Sequence, residues 1–492
     1  MIINTSYPTS RSIMLSINSF DGGLNLSHDN DLTSFNYATD LKNFAFKDGT
    51  LKSGLGLKSL ALHLSNETLL NRDFLTIGNW LKVFHFYKYN KENKKREDKL
   101  VFIDFNYNVY YLNLYDQEKT LFSLRSIKFT SPPTAIRYRL NGEDVLIFSS
   151  ETDNMTIWDG INNPYEVIDS PKISSMALHY ERLFTTVDGE KNSIWFSDDL
   201  DPTNWSLSLE EAGFIELIDE RGALEFVISF SDYIYIFREY GISRLTAFGN
   251  QSDFSVSNLF VSSSKIYTNS VCVCGDKILF LASDGLYKFD GVDTIKILNN
   301  INNGFINTNN SNCSACYFNG KYYLLCNFNN KNENTDFLST ILEIDTTTNK
   351  LTNIISNINA KSITAINCDT FSGVVVTAFD KQDNCYIPSI LFNNGKLFED
   401  NLQKEWISPI SNLNEPGKYK ILTSIRIESL TDIILTINHD NKEKNIAIKG
   451  KPTSQIIKTY LPLKNFCFKI TSTQNVCEIK NLNFEFQKTE RR

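Results

Sequence analysis

A chain of 492 residues is longer than one ordinary hydrophobic core requires and predicts two or three domains. Its 41% hydrophobic and 22% charged residues exclude a disordered chain. A formal net charge of −8 excludes a protein whose main task is gripping nucleic acid, which needs a basic surface, while leaving room for a channel along which DNA slides without sticking.

In chain order, Met1–Phe20 lacks the basic-then-apolar order of a signal peptide, and residues 1–60 read as an extended N-terminal arm. From there helical periodicity is nearly absent. Runs of four to eight residues alternate apolar and polar between Gly, Asn and Asp turns, as in Lys82-Val83-Phe84-His85-Phe86 and Asp232-Tyr233-Ile234-Tyr235-Ile236-Phe237. Lys277-Ile278-Leu279-Phe280-Leu281 reads as a buried strand. The strands group with a period of roughly 40 residues, the spacing of a repeat architecture. Units fall near 78–116, 133–169, 173–218, 222–260, 269–298, 313–355 and 361–398, and their third strands align, as in Met155-Thr156-Ile157-Trp158-Asp159-Gly160 and Gly285-Leu286-Tyr287-Lys288-Phe289-Asp290-Gly291. A small sheet of this kind cannot bury both faces alone, so the predicted fold is an all-β propeller over residues 61–400, of about seven blades, six and eight being the neighbouring counts. The mixed-sign run Lys91–Lys99 reads as a solvated hairpin tip.

Pro409 and Pro416 break the strand pattern within Asn401–Gly417, which marks a boundary. Beyond it, Ile421–Glu428, Asp432–Asn438, Lys444–Ile448, Ser454–Tyr460, Phe466–Ser472 and Cys477–Phe486 predict a C-terminal β-sandwich over 401–492.

The residues yield no catalytic, cofactor-binding or metal-binding constellation, and the expectation is a non-enzyme without cofactors. The nine cysteines sit in the second half, mostly within apolar runs, and read as reduced, buried thiols. Cys313 and Cys316, with Cys326 nearby, have no second pair at zinc spacing. The five histidines are scattered, and His85, between Phe84 and Phe86, reads as a strand position with a satisfied ring. Asp29-Asn30-Asp31 opens like a calcium loop but lacks the sixth-position glycine and has Asp40 where a bidentate glutamate belongs. Gly54-Leu55-Gly56 lacks the third glycine of a dinucleotide turn. Asp198, Asp199 and Asp201 are the carboxylates a propeller glycoside hydrolase would use, and Trp158 and Tyr165 the rings a glycan-binding module would use.

Arg182-Leu183-Phe184, then Trp195-Phe196-Ser197 and Asp201-Pro202-Thr203-Asn204-Trp205, resemble a motif of tailed-bacteriophage virion proteins. Phe20-Asp21-Gly22-Gly23-Leu24-Asn25, Leu41-Lys42-Asn43-Phe44 and Asp48-Gly49-Thr50-Leu51 are similar to the N-terminal arm of the same proteins, and Trp406, Ser408-Pro409 and Pro416–Lys420 to their C-terminal sandwich. The style is that of the nozzle, or tail tubular protein B, family. The resemblance implies a structural component of the neck or tail: an oligomeric ring lining or sealing the DNA exit channel. Its partners would be other copies of itself and portal, adaptor or tail proteins, with DNA passing without sequence-specific contact and no membrane insertion. The implied location is the virion, assembled in the bacterial cytoplasm. The alternatives are a receptor- or glycan-binding tail module and a propeller glycoside hydrolase. On the resemblance, deletion of Met1–Leu60 is expected to leave a folded propeller that no longer forms rings.

Overall fold

The computed structural model describes residues 12–27, 34–64, 75–76, 78–90, 94–116, 119–209, 211–329, 338–439 and 442–488. Five successive stretches each fold into their own four-stranded antiparallel sheet, in strict chain order from first strand to fourth. Blade 1 comprises Trp80–Asn90, Lys95–Asp104, Asn108–Asn113 and Leu121–Lys128. Blade 2 spans Thr134 to Val167, blade 3 Ile173 to Glu216, blade 4 Leu224 to Val261 and blade 5 Ile266 to Ile297.

Two further four-stranded groups belong to a larger sheet. Blade 6 pairs Ser314–Phe318, Lys321–Cys326, Leu338–Asp345 and the first half of Lys350–Asn367. The second half of that 18-residue strand opens blade 7, pairing with Ser372–Asp380, which pairs with Cys385–Phe392. Asn357 takes φ +62° near the middle of this strand, a conformation asparagine tolerates better than most residues, where the chain leaves one sheet for the next.

The fourth strand of blade 7 comes from the other end of the chain: Gly56–Ser59 pairs antiparallel with Ser389–Phe392. A Cβ on Gly56 would overlap the Lys396 carbonyl, so this close approach requires glycine.

Apolar layers between successive blades close the ring. Val101 and Ile103 of blade 1 pack with Leu146 and Phe148 of blade 2, and Leu100 and Phe102 point the other way onto Ile366, Val375 and Ile390 of blade 7. Each second strand is thus apolar on both sides because its sheet is sandwiched between two others. Corresponding layers join blades 2 and 3, 3 and 4, 4 and 5, 5 and 6, and 6 and 7. The fold is an all-β propeller followed by a β-sandwich, as expected from the sequence. The four-stranded groups lie near the predicted units, with boundaries that shift by a few residues in most of them. The fourth strands were not read from the sequence, and blade 1 extends to Lys128 instead of ending at 116.

The sandwich places Lys442–Ile448, Ile433–His439, Phe466–Ser472, Lys404–Ile407 and Asp40–Lys42 in one sheet. The other runs Gln455–Leu463, Lys420–Ser429, Glu478–Lys488, with Ser12–Ile17 and Thr50–Ser53 on the last strand's far side. The described residues of the N-terminal segment, 12–27 and 34–59, are therefore extended but engaged within their own chain. Phe20 meets Trp406 edge-on at 5.6 Å, and Asn43, buried at φ +58°, donates to the Gln403 carbonyl and accepts from the Ser356 amide. One core joins this segment, the sandwich and blades 5 and 6. The expectation that removing Met1–Leu60 spares the propeller is corrected accordingly: the deletion takes away a strand of blade 7 and part of the core.

Candidate interaction face

In a four-stranded meander the first and third turns lie at the same end of the sheet, so each blade sends two turns to one face of the ring. On blades 2 and 5 the third turn repeats one chemistry, Asp159-Gly160-Ile161 and Asp290-Gly291-Val292. Asp159 Oδ1 accepts the amides of Ile161 and Asn162 at 2.9 and 2.7 Å, and Asp290 Oδ1 those of Val292 and Asp293 at 3.0 and 2.8 Å. The Asp293 and Val292 amides hold the Asp290 carboxyl below its ordinary range. At Asp159 burial pulls upward, but the amide hydrogen bonds prevail and the pKa is lowered. Asp345 of blade 6 accepts from Thr347 and Thr348 in the same way, and the Lys321 ammonium leads in pulling its pKa to about 2.

The turn of blade 3 is longer and contains Asp201-Pro202-Thr203-Asn204-Trp205. Asp201 Oδ1 accepts from the Thr203 amide at 2.9 Å and its hydroxyl at 2.6 Å, and the Trp205 indole N–H donates to the Pro202 carbonyl at 3.0 Å. Asn204 Nδ2 donates to Asp198 Oδ2 at 2.8 Å. The Arg182 guanidinium, buried at the blade's first hairpin, donates to the carbonyls of Ser197 and Glu211 and braces the base of this turn.

These rigid turns carry exposed apolar tips. Ile161, Leu200, Phe248 and Val292 protrude from blades 2, 3, 4 and 5, with Phe248 70% and Ile161 65% accessible. Tyr180, also exposed, meets Phe248 edge-on at 5.5 Å and links blades 3 and 4. Among the described residues, the turns of blades 2–5 on this face hold eleven acidic side chains and one basic, Lys277. The segments of the same blades at the opposite face hold nine acidic and four basic.

A second polar cluster lies where blade 1 meets blade 7. Asp98, fully buried, accepts His85 Nε2 at 2.7 Å, Arg96 Nε at 2.8 Å and the Tyr115 hydroxyl at 3.2 Å, and the Cys368 thiol is close by. His85, Asp98 and Cys368 have the ligand types of a metal site, but the atoms are already committed. Arg96 supplies the positive charge, the His85 Nε2 proton points at Asp98, and Cys368 donates to the Phe371 carbonyl. Burial lowers the His85 pKa against the pull of Asp98, which favours the neutral ring. The satisfied ring expected at His85 is thus what the strand holds, and Arg96 Nη2 extends the cluster to the Asn367 carbonyl across the seam.

Other residues singled out in the sequence separate in space. Cys313 lies in the core toward the sandwich and Cys316 in the layer between blades 6 and 7, so this Cys-x-x-Cys does not converge, and burial pushes the Cys313 thiol up to about 12. Trp158 is buried against Phe86 and Tyr111, at ring distances of 5.6 and 4.9 Å, and is no sugar platform, whereas Tyr165 is exposed. Asp198 and Asp201 serve as turn acceptors. Residues 29–31 lie outside the described residues. Sequence reading missed Asn43 and Asp98 as junction residues, because their partners are far away in the chain.

No protein-family model matches the chain, and no curated protein matches it. Among solved structures it is similar to the N-terminal part of BBS1 in complex with ARL6, at 8% identity and TM-score 0.40, covering 64% of this chain and 98% of that one. It is similar to the dihydro-heme d1 dehydrogenase NirN at 10% identity and TM-score 0.38, covering 75% and 74%. PorZ, a bacterial surface component of the type-IX secretion system of Porphyromonas gingivalis, is similar at 13% identity and TM-score 0.34, covering 76% and 54%. These likenesses carry no argument about function. No helix among the described residues is long and apolar enough to cross a membrane.

Proposed function

We propose that this protein is a structural component of a tailed-phage particle, a neck or tail element that assembles as a ring around the DNA path and joins the elements on either side. The observation that carries the reading is the physical unity of the motif behind the resemblance. Arg182, Ser197 and the Asp201–Trp205 turn, apart in sequence, form one braced corner of blade 3 on the turn face. The arm motif has the same character, since Asp21 accepts the Gly49 amide at 2.9 Å and Phe20 and Asn43 fix the segment to Trp406 and Gln403.

The role is mechanical. A closed ring of sheets has no long free edge and resists deformation, and the turn face offers a rigid surface for a neighbour. The acidic balance suits a wall along which DNA passes without being held. Quantitative mass spectrometry of gradient-purified particles tests the reading: the protein is expected at a fixed copy number per particle. Its absence from particles while abundant in the lysate would overturn it.

A further inference from the structure

We infer that the turn face of blades 2–5 is a docking surface for a basic protein partner, one that presents lysine or arginine side chains interspersed with apolar ones. The inference deepens the proposed structural role and rests on it only for the partner's identity as a neighbour in the particle. Three observations on the same surface carry it.

The first is apolar exposure in register with the blades. Ile161, Leu200, Phe248 and Val292 each occupy a third-turn tip, one per blade, and the exposed Tyr180 of blade 3 packs edge-on against Phe248 of blade 4. Repetition at equivalent positions makes an arc of apolar contacts, whereas singly scattered apolar side chains would need no explanation.

The second is preorganisation. Paired amide hydrogen bonds to Asp159 and Asp290 fix the tips that carry Ile161 and Val292, and the braced Asp201–Trp205 turn adjoins Leu200. A partner that docks here orders little of this surface, which spares it an entropic cost of binding.

The third is charge. Of the eleven described acidic side chains in these turns, only Glu211 and Asp276 have a lysine or arginine within ion-pair distance among the described residues. At the opposite face the basic residues are interspersed, as in the pairs Arg221–Asp219 and Lys265–Glu239. A one-signed field around apolar tips attracts a basic surface and repels nucleic acid and anionic lipid, so the occupant is a protein with positive charge and apolar side chains together.

The test uses the full chain and a fluorescent 18-residue amphipathic helix of leucine and lysine, with leucine–glutamate and serine–lysine peptides as controls, read by anisotropy. The leucine–lysine peptide is expected to bind at least tenfold tighter than either control. Affinity should fall at least tenfold in Ile161→Ser/Phe248→Ser/Val292→Ser, and at least tenfold in Asp199→Asn/Asp253→Asn/Asp293→Asn. Ile168→Ser/Ile218→Ser, at the opposite face, should bind within twofold of the parent. Each variant is first shown to keep the parent's circular dichroism and unfolding midpoint. Equal binding of the serine–lysine peptide, unchanged affinity in both turn-face variants, or an equal loss in the opposite-face variant would overturn the inference. Because the particle measurement is separate, a failed peptide test with the protein present in particles removes the docking surface and leaves the structural role standing.

Discussion

Blades 2–5 and the seam between blades 7 and 1 are built from the same four-stranded sheet by opposite means. In the middle blades every strand pairs with its neighbour in sequence, and each sheet is complete within one stretch of chain. At the seam, completeness depends on distant segments. Gly56–Ser59 closes a sheet whose other strands lie beyond residue 360, and Arg96 reaches the Asn367 carbonyl. A closed ring is vulnerable at its seam: a break in a middle blade is local, but a break at the seam removes the contact that makes the ring a ring.

The largest expected effect is at the seam itself. Deleting residues 1–60 should abolish cooperative unfolding by circular dichroism, because it takes out both the closing strand and the Phe20, Leu41 and Phe44 side chains of the shared core. Next comes Asp98→Ala. With the carboxylate gone, a partly buried guanidinium and the His85 ring lose their acceptor, and urea unfolding should show a loss of about 3–5 kcal/mol. Asn43→Ala strips the Ser356 amide and Gln403 carbonyl of their partner and should cost about 1–3 kcal/mol in the same assay. In contrast, Ile161→Ser/Phe248→Ser/Val292→Ser on the middle blades should shift stability by no more than about 0.5 kcal/mol per site, since the tips contribute little to the fold.

This contrast also explains what the sequence made legible. The middle blades could be read because local alternation, Asn and Gly turns and the repeated Asp-Gly tips all act within about 40 residues. Fourth strands escaped because they lie at the outer edge, where Leu121–Lys128 and Ser255–Val261 are largely accessible and their apolar alternation is weak. The closing strand escaped for another reason. Gly56-Leu57-Lys58-Ser59 is too short to announce itself, and its partner is over 300 residues away. On the turn face, the Asp201–Trp205 segment was legible only as part of a family resemblance, and the tips' placement on one face emerges only once the blades are stacked.

The pH response gives a smaller effect. Burial lowers the pKa of both His85, in the seam, and His179, in blade 3, below the ordinary 6.5. Between the lowered values and 6.5 the unfolded chain holds more protons than the folded one, so this stability is fully present above pH 6.5 and is lost as pH falls below it. The urea midpoint should therefore be lower at pH 5.5 than at pH 7.5, and His179→Asn should reduce the difference to the share that belongs to His85.

The proposed place in a phage particle can be checked by electron microscopy of purified particles in which this protein carries a gold-binding tag. Label confined to the neck or tail is expected. Particles of normal composition that carry no label, or label scattered over the capsid, would contradict it.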